Sequence, residues 1–119
     1  MPEGVEIKIM SNFINLKSNG LTFEKLYHVE KGNNAILSNE IENFQISSES
    51  IGKELILNFK NNISFLKYSI FMGMSGNWKF IPTEDWQKTK FVRMRMDSND
   101  GWSLILYGGN STLRGVGYS

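Results

Sequence analysis

The stretch Glu54-Leu55-Ile56-Leu57-Asn58-Phe59-Lys60-Asn61-Asn62-Ile63-Ser64-Phe65-Leu66-Lys67-Tyr68-Ser69-Ile70 decides the fold. Two short β-rich runs, Glu54 to Phe59 and Ile63 to Ile70, flank the polar triplet Lys60-Asn61-Asn62, so the segment reads as a hairpin. Outward from it the same pattern recurs. Leu21 to Glu30 and Ile41 to Ile46 precede it; Trp78 to Ile81, Phe91 to Asp97 and Trp102 to Tyr107 follow, with Ser98-Asn99-Asp100-Gly101 as a second hairpin turn. Runs at this spacing predict a β-sandwich or flattened barrel of about six to eight antiparallel strands. Trp78, Trp86 and Trp102 are expected to pack inside it, and His28, within a predicted strand, to be structural.

The N-terminal segment has a different period. From Glu3 to about Lys17, the apolar residues Val5, Ile9, Met10, Phe13, Ile14 and Leu16 recur near helical spacing, and Asn19-Gly20 supplies a stop. The fold class is therefore mainly β with one N-terminal helix, whose apolar stripe packs against an edge or open end of the sandwich. Pro2 loses nothing as a first helical residue, and Glu3 and Glu6 sit where negative charge suits the helix dipole. At the other end, the glycine-rich stretch from Gly108 to Gly117 reads as a mobile loop or the start of a linker.

Composition bounds the function. The 119 residues fit one domain, and 40% hydrophobic with 13% aromatic residues suffice for an ordinary core. A net charge of +1 gives little overall attraction to polyanions, so any basic surface is local. Lys88, Lys90, Arg93 and Arg95 form the densest basic stretch; strand alternation places Arg93 and Arg95 on one face, either simply solvated or available to phosphates. There are no cysteines and one histidine, which excludes disulfides, thiolate chemistry and a zinc site built on His28. No apolar run is long enough to cross a bilayer as a helix and no basic leader opens the chain, so an intracellular, soluble protein is expected.

The first six residues, Met1-Pro2-Glu3-Gly4-Val5-Glu6, carry chemistry of their own. Removal of Met1, which a small second residue permits, exposes the ring nitrogen of Pro2 beside two carboxylates, and a secondary amine attacks an electrophilic sugar carbon to give an iminium. An α-amino group titrates near ~7.7 to 8.0, so part of it is nucleophilic at neutral pH. These residues resemble the opening of the formamidopyrimidine-DNA glycosylase and endonuclease VIII family, Met-Pro-Glu-[Gly/Leu]-Pro-Glu, with Val5 in place of the second proline. Two further matches follow in order. Gly52-Lys53 before Leu55-Ile56-Leu57 is similar to the family's glycine-lysine loop and strand, and Phe71-Met72-Gly73-Met74-Ser75-Gly76 to its His-Leu-Gly-Met-Ser-Gly stretch, with Phe71 replacing histidine.

The resemblance implies a bifunctional DNA glycosylase and abasic-site lyase acting on oxidised bases in damaged DNA, with no cofactor, no metal and no membrane partner. Pro2 would attack C1′, Glu3 would protonate the ring oxygen, Glu6 would orient a water or hold the amine, and Lys53 would approach the phosphate and sugar. Met74 would fill the space left by the extruded nucleotide. The family's Asp-Pro-Arg-Arg-Phe-Gly loop has no counterpart in Gly109 to Gly115, where Leu113 and Arg114 are the available wedge and opposite-base reader. Family members continue into a helix–two-turn–helix domain and a zinc or zinc-like finger, which these residues lack. The rival expectation is a catalytically reduced DNA-binding or interaction module that keeps only the family's N-terminal domain, or that needs the missing DNA-binding domain in cis or trans.

Overall fold

The hairpin read from residues 54–70 forms in a computed structural model of the chain, which describes residues 4–30, 34–72, 76–108 and 112–118, the last stretch by its backbone alone. Strands β4 (Glu54–Lys60) and β5 (Phe65–Phe71) pair in register from Glu54↔Phe71 to Lys60↔Phe65. Their turn is closed by Asn61, whose side-chain oxygen accepts the backbone N–H groups of Ile63 and Ser64 at 2.9 and 2.7 Å. An Asn side chain substituting for a backbone carbonyl is what makes such a triplet turn.

Around this hairpin lie α1 (Gly4–Ser18), β1 (Phe23–Glu30), β2 (Asn34–Leu37), β3 (Gln45–Ile51), β6 (Asn77–Pro82), a 3-10 segment (Thr83–Lys88), β7 (Val92–Ser98), β8 (Trp102–Tyr107) and β9 (Thr112–Tyr118). They form two antiparallel sheets, a four-stranded one in the order β3-β4-β5-β9 and a five-stranded one in the order β2-β1-β7-β8-β6. Alternation along β4 and β5 turns Leu55, Leu57, Phe59, Leu66, Tyr68 and Ile70 inward, against Leu26, Met94, Met96, Leu104 and Leu106 of the other sheet, and all of them are buried in one cluster. The fold is the expected one, mainly β with an N-terminal helix and two layers of antiparallel strands.

Three local expectations need correction. The strand expected at Ile41 to Ile46 starts later, at Gln45, because Ile41 and Phe44 are drawn into the core from a loop, with Asn43 at φ 53 between them. The glycine-rich stretch after Gly108 is not a loop throughout: Thr112–Tyr118 is β9, paired along β5 from Thr112↔Phe71 to Tyr118↔Phe65. The open edge of β5 supplies a hydrogen-bonding template that outweighs the poor strand propensity of Gly115 and Gly117. Of the tryptophans, only Trp78 lies in the sandwich core; Trp86 packs on the outer face of the five-stranded sheet, and Trp102 is 42% exposed, stacked on Phe80 at 5.4 Å.

The helix buries a different face from the one its apolar residues suggest. Ile7, Ser11, Ile14 and Ser18 are buried, whereas Val5, Ile9 and Leu16 are exposed by 66, 62 and 73%. Two buried positions are serines because this face makes polar contacts with β3, the edge strand of its sheet. Ser11 and Ser48 share a 2.8 Å hydroxyl bond, and Ser18 Oγ donates to the Ile46 carbonyl at 3.1 Å. Asn15 donates to the Ser48 carbonyl at 3.0 Å and accepts the Ser48 N–H at 2.7 Å, so its amide completes the edge as a neighbouring strand would. Asn15→Ala should lower unfolding stability by about 1 to 2 kcal/mol, and Ile14→Ala, which opens a core cavity, by about 2 to 5 kcal/mol, both read from urea midpoints.

His28 is half-buried on the inner face of β1, where its Nε2 meets the Tyr68 hydroxyl at 3.1 Å; that hydroxyl donates to Glu40 Oε1, also at 3.1 Å. Burial, then the Glu40 charge and the hydrogen bond to it, hold the Tyr68 pKa well above its ordinary 10.0. The unfolded chain therefore releases this proton first, and the contribution of Tyr68 to stability is intact below about pH 10 and lost as pH rises beyond it. Tyr68→Phe should remove that part of the alkaline loss, narrowing the difference between urea midpoints measured at about pH 8 and about pH 10.5.

Candidate functional site

The described parts of the three sequence motifs, Gly4 to Glu6, Gly52-Lys53 and Phe71-Met72, lie at one end of the sandwich. Gly52 and Lys53 are the two central residues of the β3–β4 turn, between the paired Ile51 and Glu54. Only Gly52 of the two has a positive φ, +60, which marks a type II′ hairpin and explains the glycine. Lys53 takes the second central position and is exposed.

Helix α1 runs antiparallel to β3, since Ser18 lies by Ile46, Ser11 by Ser48 and Gly4 by Gly52. Its start abuts the turn so closely that a Cβ placed on Gly4 would lie 3.2 Å from the Gly52 carbonyl oxygen. The match of lengths is geometric: fourteen helical rises of about 1.5 Å come to within about 1 Å of six strand rises of about 3.3 Å. Glu6, in the first turn of α1, is exposed near this junction.

The third motif begins beside the second. Ile51, Glu54, Phe71 and Thr112 are successive Cα partners across β3, β4, β5 and β9, a row closing this end of the four-stranded sheet. Phe71 is 40% exposed, and Met72, the next residue, is buried in the core. Arg114 lies two residues into β9, opposite Ser69, and Leu113 opposite Ile70, so both belong to a paired strand rather than to the loop expected for them. The other sheet ends here too: Asn77↔Tyr107 and Tyr107↔Val92 form its terminal row, joined to β5 through residues 72–76 and to β9 through 108–111.

Of the sequence candidates, Glu6 and Lys53 are thus brought to one end of the molecule, and the backbone of Arg114 lies in the neighbouring strand. Pro2, Glu3 and Met74 lie outside the described residues. The basic stretch divides. Arg95 is 8% exposed, with Nε and Nη2 each 2.9 Å from Asp97 oxygens, and its guanidinium is sandwiched between Tyr27 at 4.1 Å and Trp86 at 4.6 Å. It is therefore neither solvated nor open to phosphates. Lys90 is exposed and Arg93 half-buried at the candidate end. Sequence reasoning missed Phe91, read only as the first residue of a strand; it is 71% exposed at this same end.

Among the described residues no group of three or more His, Asp or Glu could hold a metal ion, and no helix is long and apolar enough to cross a membrane. The chemistry on offer is that of amines, carboxylates and exposed aromatic rings.

Two glycines carry different constraints. Gly52→Ala meets nothing within 4 Å but must hold φ +60, and should cost about 1 to 3 kcal/mol in thermal denaturation. Gly4→Val, crowding the Gly52 carbonyl, should displace the helix start from the turn, seen as altered amide chemical shifts at Gly52 and Lys53. Compared with protein-family models and with curated proteins, the sequence finds no match.

Proposed function

We propose that this chain is a DNA glycosylase and abasic-site lyase that acts on oxidised bases through the amine of Pro2. The observation that carries this reading is the contact between Gly4 and Gly52, which joins the helix start to the Gly52-Lys53 turn. Two motifs far apart in sequence, each resembling one half of a catalytic centre, have no reason as independent accidents to touch. That Gly4 follows Pro2 by two residues in the sequence supports a role for the amine together with the Lys53 turn.

In this mechanism the Pro2 nitrogen, freed by removal of Met1, attacks C1′ of the damaged nucleotide while Glu3 protonates the sugar ring oxygen. The ring opens, the base leaves and an iminium forms. Loss of a C2′ proton then expels the 3′ phosphate, and Lys53 neutralises the phosphate and donates a proton. Glu6 orients the amine or a water. The net charge of +1 favours a second reading, a module with the same arrangement that grips DNA too weakly to turn over alone.

Borohydride reduction of a mixture with abasic-site DNA should trap a covalent adduct with the mature chain, and none with a form whose N-terminal extension ties Pro2 into an amide. Lys53→Ala should retain the adduct and slow strand cleavage by about 100-fold or more. An adduct that survives the extension, or none from the mature chain even with a helical DNA-binding domain supplied, removes the catalytic reading. An adduct only with that domain supplied identifies the split form.

A further inference from the structure

Phe91 combines a strained backbone with an exposed ring. Its φ is +60, a region that costs a bulky residue about 1 to 3 kcal/mol, yet its ring is 71% exposed and buries little in return. Its carbonyl is held by the Gly108 N–H at 3.0 Å, which fixes the strained residue against the β8–β9 connection. Immediately after it, the β7–β8 register shifts between Val92 and Met94, making Arg93 the extra residue of a bulge. Bulges re-aim side chains and concentrate beside functional sites. Without this one, Val92 and Met94 would share a face; instead Val92 packs on the outer face and Met94 in the core.

The residues flanking Phe91 in sequence are cationic. Lys90 is exposed, Arg93 half-buried, and Lys88, bridged to Asp85 at 3.0 Å, keeps 80% of its side chain in solvent. Phe91 and Arg93 flank the terminal Val92↔Tyr107 pair, at the end of the sandwich that also carries the Gly52-Lys53 turn and Phe71.

We propose that Phe91, flanked by Lys90 and Arg93, is a stacking platform for unpaired nucleotides of a DNA strand beside the candidate site. An exposed ring within a basic track is the arrangement that holds single strands, because every base offers a π-face and the cations follow the backbone. The chain thus prefers lesions in single-stranded or locally opened DNA. This inference rests on the reading of the chain as a DNA enzyme, but it concerns binding and is separable from the amine chemistry.

The test is fluorescence anisotropy of the full-length chain with a labelled single-stranded oligothymidine, alongside the abasic trapping assay. Phe91→Leu should weaken single-strand binding about tenfold or more, and Phe91→Tyr should restore it. Phe91→Gly should weaken binding equally while leaving thermal stability unchanged or raised, since glycine relieves the φ. Lys90→Ala should flatten the plot of log affinity against log salt by about 0.7. Phe91-dependent binding without a trapped adduct, even with a helical DNA-binding domain supplied, supports the platform and removes the lyase reading. A trapped adduct with binding indifferent to Phe91→Leu, or no measurable single-strand binding by the unsubstituted chain, overturns the platform.

Discussion

Everything at the candidate site depends on how α1 is fastened to the edge of β3. An edge strand exposes unpaired N–H and C=O groups, and here the Asn15 amide meets both groups of Ser48 while Ser18 takes the Ile46 carbonyl. Polar pairing fixes the helix along the strand, which a greasy stripe alone would leave free to slide. Ile7 and Ile14, on the same face, plug the sandwich core, and the helix contacts β6 and β8 as well as β3 and β4, so it closes the open side between the two sheets. The axial register that results puts Gly4 against Gly52.

That register turns two separate local facts into one place. A type II′ turn needs glycine at its first central residue, and the helix start needs a residue without a side chain to come close to a carbonyl. Both requirements fall at the same contact, and both are met by glycine. The ends of β5 and β9 join it through the cross-strand row Ile51, Glu54, Phe71 and Thr112. Chemistry proposed for this end therefore rests on strand termini anchored in a continuous core.

The outer face of the five-stranded sheet is organised by a buried charge. Arg95 forms a two-bond pair with Asp97, which also accepts the Ser103 hydroxyl at 2.7 Å, and Ser103 meets Thr83 at 2.7 Å. Such a pair withstands its desolvation only when the remaining hydrogen bonds are filled, and the Tyr27 and Trp86 rings on the guanidinium add cation–π attraction. The network fastens the 3-10 segment over Val29, Val92 and Ile105. The chain between that segment and β7 ends in the strained Phe91, so a structural network on one face sets the position of an exposed ring at the end.

The two-layer architecture was legible because strand alternation and turn residues are local signals: the 54–70 hairpin follows from apolar runs and an Asn turn, and the N-terminal helix from its period. The ordered motifs Met1 to Glu6, Gly52-Lys53 and Phe71 to Gly76 were equally readable as sequence. Which helix face is buried was not, since Ser11 and Ser18 earn their places through partners on β3 that no helical periodicity encodes. The strand at Thr112–Tyr118 was hidden for the same reason, its glycines being tolerated only where the edge of β5 waits for them. Likewise, simple alternation misassigned Arg95 because the bulge at Arg93 and the stacking rings exist only once β1, β7 and the 3-10 segment are assembled. The sequence by itself determined the elements and the chemical inventory, through short-range sterics and hydrophobic period. Tertiary structure alone decided their convergence, because register between distant segments is set by hydrogen bonds and packing that form only when the chain has closed on itself.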